Sequence, residues 1–454
     1  MILDSVRDVI YFGGNNIMNG SNENRLEGFN IGKSKFYNTI DRKEKKYLSR
    51  STLLWTVIGP GLLAAMGDND AGGVISYCVT GMKFGISLFI PLCIFLIIIP
   101  YAVQEMSMRI GTISGSSLIK LIRKYYGRYW VKYHVVALIV ENILMLSTEF
   151  IGMTAGLIVI GIPIWMGTAI SLILVLSIII FAGYKKKEKM ALLIGSSNVI
   201  FIVIAFIVHP SAVTSSYNFM SLSLIHGNND LVWYTAAIAG NSIAPWMVFF
   251  QNSAYMDKGG TGERHIFARR LDIRIGCIVQ VIIAICILVS GAALSGHVQN
   301  IENAGPAELI LGFTNYFGRG IGILFALGIF NAGLLASITI SLSSSWCVAD
   351  AFNWPHSLNN KIKEAHKFYA VYVGSAAVAA LIILIPNLPL NYMALITQVI
   401  GGIIMIPIII FIILLSNKKD IMGKYKNSLF INIRAYMIAA VLIGITILLL
   451  WSFL

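Results

Sequence analysis

Residues 67–73 read GDNDAGG, between LLWTVIGPGLLAAM (53–66) and VISYCVTGMKFG (74–85). Two aspartates, an asparagine and three glycines thus interrupt an apolar run. An aspartate at the centre of a membrane helix costs about 2.5–3.5 kcal/mol. In an unbroken helix Asp68 and Asp70 would point about 200° apart. Unwinding at the glycines lets both side chains and several carbonyls converge. Lipid tolerates irregular backbone only where protein buries it or it lines a cavity. The stretch therefore predicts a broken span that carries the working groups. The plainer alternative is a re-entrant turn capped by aspartates.

Composition places that span in a membrane protein. Of 454 residues, 57% are hydrophobic and 12% charged, against about 25% charged in soluble domains. Apolar runs of about 20 residues, enough to cross hydrocarbon, recur eleven times: near 52–80, 85–108, 133–160, 163–183, 190–209, 231–255, 273–296, 320–347, 368–387, 391–416 and 433–454. Residues 1–50 form a polar, basic tail with no cleavable signal pattern, and 51–454 the transmembrane domain. With the N-terminus inside, the tail, the 109–132 loop, the KKKEK loop at 185–189 and the 258–274, 361–367 and 418–434 segments hold 32 of the 34 Lys and Arg residues, leaving Lys83 and Arg319 opposite. The positive-inside rule then gives a cytoplasmic N-terminus and an outside C-terminus in the cell membrane. The net charge of +13 is a topology signal and calls for no nucleic-acid partner; the lipid bilayer is the partner it implies.

A second interruption lies in the sixth run, LVWYTAAIAGNSIAPWMVFFQNSAY, at GNSIAP (240–245). Pro245 removes a backbone donor and clashes with the preceding turn, freeing carbonyls near Asn241 to Ala244. Two broken helices five spans apart point to an inverted-repeat transporter with its site at the midplane. Spans 1–5 and 6–10 are the repeats and span 11 an addition. No HExxH, GxSxG or CxxC occurs, and the five cysteines lie in apolar segments, so no enzyme machinery or resident cofactor is expected.

GPGLLAAMGDNDAGG, followed by QEMSMRIGTISG, EFIG in span 3 and SNKKDIMG after span 10, resembles the Nramp family of divalent-metal transporters over roughly residues 50–425. The resemblance implies an all-α membrane protein of eleven helices with the LeuT-type inverted repeat and broken helices 1 and 6. The family carries Asp-Pro-Gly-Asn in span 1 and Ala-x-x-Met-Pro-His in span 6. Here Asp70 and Gly72 match, Ala71 replaces the proline and Gly73 the metal-binding asparagine. Pro245 matches, while Asn241 replaces the alanine, Ala244 the metal-binding methionine and Trp246 the histidine. Gln398, in ALITQVIGG, matches a glutamine that approaches the ion.

These departures set the chemistry. Ala244 lacks the soft thioether that favours iron, manganese and heavier metals, and Gly73 adds volume. Asp70, Asp68, Asn241 and Gln398 with freed carbonyls remain as hard oxygen donors. Gly73 and Trp246 are expected to line the cavity. Few protein oxygens in a roomy cavity suit Mg²⁺, which keeps several waters. The pattern resembles the Nramp-related magnesium transporters. The expected function is uptake of Mg²⁺, with Mn²⁺ also accepted, driven by membrane potential with weak or no proton coupling. Glu149 matches the family's acidic proton-path residue, and Glu141 lies on roughly the same helix face. Leu146 stands where a second acid is usual. Glu105 and Arg109, four residues apart, are expected to pair. A proton-coupled manganese/iron transporter is the nearest alternative, and a sodium-coupled organic-solute symporter the alternative of another class.

Overall fold

The computed structural model describes residues 59–86, 89–181, 184–208, 229–298, 305–386, 388 and 390–451. The basic tail of 1–50 and most of the 210–230 loop lie outside these. The protein is all-helical, with no strand among the described residues.

The first run forms α1 (Pro60–Asp68) and α2 (Ala71–Phe84). Asn69 leaves helical space at φ −79°, ψ 56°, and Asp70 is extended at φ −74°, ψ 174°. Only two residues are unwound. Next come α3 (Phe89–Leu96), α4 (Ile98–Ser114) and α5 (Leu118–Tyr126), then α6 (Arg128–Ile158) and α7 (Ile164–Phe181). Further on are α8 (Tyr184–Ser196) and α9 (Val199–Val208), then α10 (Asn229–Asn241) and α11 (Pro245–Lys258). The second break falls between these last two. Ala244 is extended at φ −80°, ψ 144°, as a residue before proline prefers, and Pro245 opens α11 where its missing N–H costs nothing. The chain continues through α12 (Ile266–Ala292), α13 (Pro306–Phe317), α14 (Arg319–Phe352), α15 (His366–Ile382), α16 (Leu390–Ser416), α17 (Lys419–Met422) and α18 (Leu429–Trp451).

Seven helices among the described residues are long and apolar enough to cross a membrane, and two shorter apolar ones cover Ile164–Ile180 and His366–Ile382. Large apolar side chains such as Trp165, Phe206 and Trp451 face outward, as lipid contact requires. Two segments expected as loops are helical instead. Residues 185–189 lie within α8, since Lys and Glu are good helix formers. Within 109–132, α5 buries Leu118, Ile119, Leu121 and Ile122 on one face, so an amphipathic pattern outweighs the charge.

The two breaks lie in the centre of the packing. α12 runs along both α1 and α2, α10 lies on α16, α11 on α1, and α14 on α6. A Cβ on Gly240 would come within 2.1 Å of the Gln398 carbonyl oxygen. Only glycine permits that crossing of α10 on α16, which carries Gln398 up to the breaks.

Candidate functional site

Asp70 caps α2. Its Oδ1 accepts from the Gly73 N–H at 2.6 Å and from the Gln398 amide at 3.3 Å. Its Oδ2 has no partner, although the side chain is fully buried. A buried carboxylate oxygen with nothing to accept from is costly and is what a cation would satisfy. Gln398 is 1% exposed and also packs on Gly72, whose Cβ would meet its amide nitrogen at 2.8 Å.

Asn241 ends α10 with both amide atoms unpartnered and buried. It occupies the space expected to be left empty at Gly73: a Cβ there would lie 2.7 Å from both Asn241 amide atoms. The expectation of added volume at Gly73 is therefore corrected. The glycine makes room for an amide delivered from the other broken helix.

Asp68 takes a different hydrogen-bond partner from Asp70. It ends α1 and turns to α12, where its Oδ2 accepts from the Gln280 amide. Gln280 was not singled out in the sequence, although a lone amide in IGCIVQVIIAICI (275–287) is a membrane-core signal.

Ala244 and Trp246 belong to a packed apolar cluster that includes Leu62, Met247, Phe250 and Trp346. Trp246 is fully buried. Its ring lies against Gly67, where a Cβ would meet it at 3.1 Å, and the Ser343 hydroxyl donates to its carbonyl at 2.9 Å. An apolar cavity of about 50 Å³ is lined instead by Pro60, Leu63, Phe250, Asp257, Thr339 and Trp346. It touches none of the oxygen donors. Asp68, Asp70, Asn241 and Gln398 are each no more than 1% exposed, so the breaks are closed to both surfaces.

Both α6 acids are fully buried beside the breaks. Glu149 Oε2 accepts the Ala71 N–H at 2.8 Å, and the Thr148 hydroxyl donates to its Oε1 at 3.3 Å. A carboxylate thus sits at the first N–H of α2, where the helix end carries partial positive charge. Glu141 approaches the second break: its Oε1 is unpartnered and lies 3.5 Å from a Cβ placed on Gly401, which itself adjoins Pro245. With the Asn142 amide turned so that its oxygen accepts from Ser344, its nitrogen donates to Glu141 Oε2 at 2.6 Å. The expected Glu105–Arg109 pair forms at 3.1 Å, and Arg270 joins it at 2.7 Å.

Among the described residues no three of His, Cys, Asp and Glu converge as a metal-binding group. The Asp70 donors are one carboxylate with amides, which suits an ion that keeps part of its water.

The family profile described as Natural resistance-associated macrophage protein-like (Nramp) matches residues 61–452. The Divalent metal cation transporter MntH of Aeromonas hydrophila is 22% identical over 406 residues, covering 86% of this chain and 94% of that protein. The protein of the same name from Staphylococcus saprophyticus is 25% identical over 445 residues, covering 92% and 96%. A crystal structure of the Eremococcus coleocola manganese transporter, in complex with an aromatic bis-isothiourea substituted compound, superposes with a TM-score of 0.69 at 18% identity, covering 88% of this chain and 86% of that one.

Proposed function

This chain belongs to the Nramp family, and on that premise we propose that it carries Mg²⁺, and Mn²⁺ with it, into the cell as a partly hydrated ion bound at Asp70. It is a divalent metal cation transporter, not an enzyme. The carrying observation is the Asp70 Oδ2 left without a partner on a fully buried side chain. Every candidate donor there is oxygen, and Ala244 offers no thioether. Such a set favours hard cations.

The architecture proposed with it is eleven spans in a LeuT-type inverted repeat, 1–5 against 6–10, with the N-terminus cytoplasmic and the C-terminus outside the cell membrane. No resident cofactor is needed, because the metal is cargo. Proton-coupled manganese transport is the second reading, favoured by the survival of Glu149 and Glu141 as buried carboxyls beside the breaks.

The test is uptake into proteoliposomes. Asp70→Ala should abolish Mg²⁺ influx while the protein remains folded and inserted. Near-normal influx by that variant removes Asp70 from the site.

A further inference from the structure

The two aspartates of the first break face different neighbours. Asp70 turns to α16 and Gln398, Asp68 to α12 and Gln280. Around Asp68 a second set of oxygens gathers. Gln280 donates to the Asp68 carboxylate and, at 3.3 Å, to the Ser242 carbonyl. Asn69 donates to the Gln280 carbonyl at 3.0 Å. These bonds bring together elements from both breaks and α12.

They also leave oxygens over. Asp68 Oδ1, Asn69 Oδ1 and Gln280 Oε1 have no partner, and the three side chains are 1–2% exposed. Three buried oxygens on adjoining side chains, one of them on a carboxylate, call for a partner. The Gln280 N–H that now faces Asp68 occupies a position a cation would take. Turning that amide over presents Oε1 to the same point and converts the donor into a ligand.

We propose that Asp68, Asn69 and Gln280, with the Ser242 carbonyl, form a second divalent-cation station, distinct from the Asp70 station on the other side of the break. The inference rests on the reading of this protein as a divalent-metal transporter. The two aspartates lie two positions apart, no more than about 7 Å of chain. Two divalent ions that close repel strongly in a buried setting, so the stations are occupied in turn. Asp68 takes the ion as it moves past the break, and Asp70 holds it when the site is closed. Asp68 is then a functional ligand and not a structural cap.

The experiment counts bound Mn²⁺ by electron paramagnetic resonance on the full chain in detergent micelles. Wild type should bind one ion. Asp70→Ala should still bind one, with affinity lowered by at least about tenfold, and the Asp68→Asn/Asp70→Ala double variant none. Adding Gln280→Glu to Asp70→Ala puts a second carboxylate at the station. It should tighten Mn²⁺ binding by at least about tenfold, a gain that misfolding cannot imitate. No Mn²⁺ bound by Asp70→Ala, equal binding by that variant and the double variant, or no gain from Gln280→Glu each overturns the second station. Normal Mg²⁺ uptake by Asp70→Ala is a separate result and overturns only the primary site.

Discussion

At the scale of single residues, the site depends on which amide stands where. Asn241 fills the volume above Gly73. Gly73→Asn alone must therefore collide with it, at a typical overpacking cost of about 1–3 kcal/mol, and transport should fall. Pairing it with Asn241→Ala removes the collision and should recover uptake, whereas no recovery in the double variant would show that the two positions do not share one space. Adding Ala244→Met to that pair should shift binding towards Cd²⁺, measured by isothermal titration; tight Cd²⁺ binding by the wild type would contradict the hard-oxygen reading. Glu149 accepts the first N–H of α2. Glutamine keeps an acceptor oxygen there and leucine does not. Glu149→Gln should thus retain most stability, while Glu149→Leu leaves a buried N–H unsatisfied and loses about 1–3 kcal/mol. Melting temperatures of the two variants decide it. Asp70 is legible from sequence because a carboxylate in an apolar run demands a reason. The meeting of Asn241 with Gly73 is not, because it joins two helices 168 positions apart that local spacing cannot relate.

At the scale of elements, the outlines of both breaks follow from glycine and proline positions, while the anchoring of α1 does not. Asp272 on α12 accepts from the Gly59, Gly61 and Leu62 N–H groups at 2.8–3.1 Å and from the Tyr255 hydroxyl at 2.6 Å. It closes the N-terminal end of α1, whose own cap residue, Gly59, offers no side chain. Nothing in the residues around Asp272 announces a partner more than 200 positions away. Asp272→Ala should cost about 1–2 kcal/mol, as loss of a helix cap does, and should loosen α1. In a background without Cys286, the one native thiol that is not buried, a cysteine substituted for Leu63 should then react faster with a water-soluble thiol reagent. Unchanged reactivity would show that α1 is held by other contacts. Beyond the end of α14, burial pulls the His356 pKa down. The hydrogen bond to Asp350 and that residue's charge outweigh it, so the value is raised above 6.5 even with Lys120 nearby. A raised histidine stabilises fully below its unfolded value and loses that contribution as pH rises through the folded value. The stability difference between wild type and His356→Ala should therefore shrink as pH is raised above about 6.5. A constant difference across that range would remove the ion pair from the account.

At the scale of the whole molecule, the membrane class was legible in composition. The closure of the breaks was not, because packing against α6, α12, α14 and α16 depends on tertiary contacts. Every oxygen donor at the breaks is buried, so on the proposed reading an ion reaches them only when the packing around the breaks opens. On the proposed reading the membrane potential supplies the drive. At 100 mV each elementary charge gains about 2.3 kcal/mol, so a divalent ion gains about 4.6 kcal/mol, a concentration ratio above about a thousand. Uptake at that potential needs no proton, and Trp246 has no group that titrates near neutral pH. Metal influx should therefore proceed without stoichiometric acidification of the vesicle interior, read by an enclosed pH dye. Acidification that disappears in Glu149→Gln would move the account to the proton-coupled reading.

Passage of a hard divalent cation through an oxygen-only site at Asp70 is read from Mg²⁺ influx itself. The wild type is placed in liposomes held at negative internal potential, and internal free Mg²⁺ is followed with an enclosed indicator. Saturable Mg²⁺ influx is expected, which external Mn²⁺ competes with and external Cd²⁺ leaves nearly unchanged. Influx of Mn²⁺ without any influx of Mg²⁺ would contradict it.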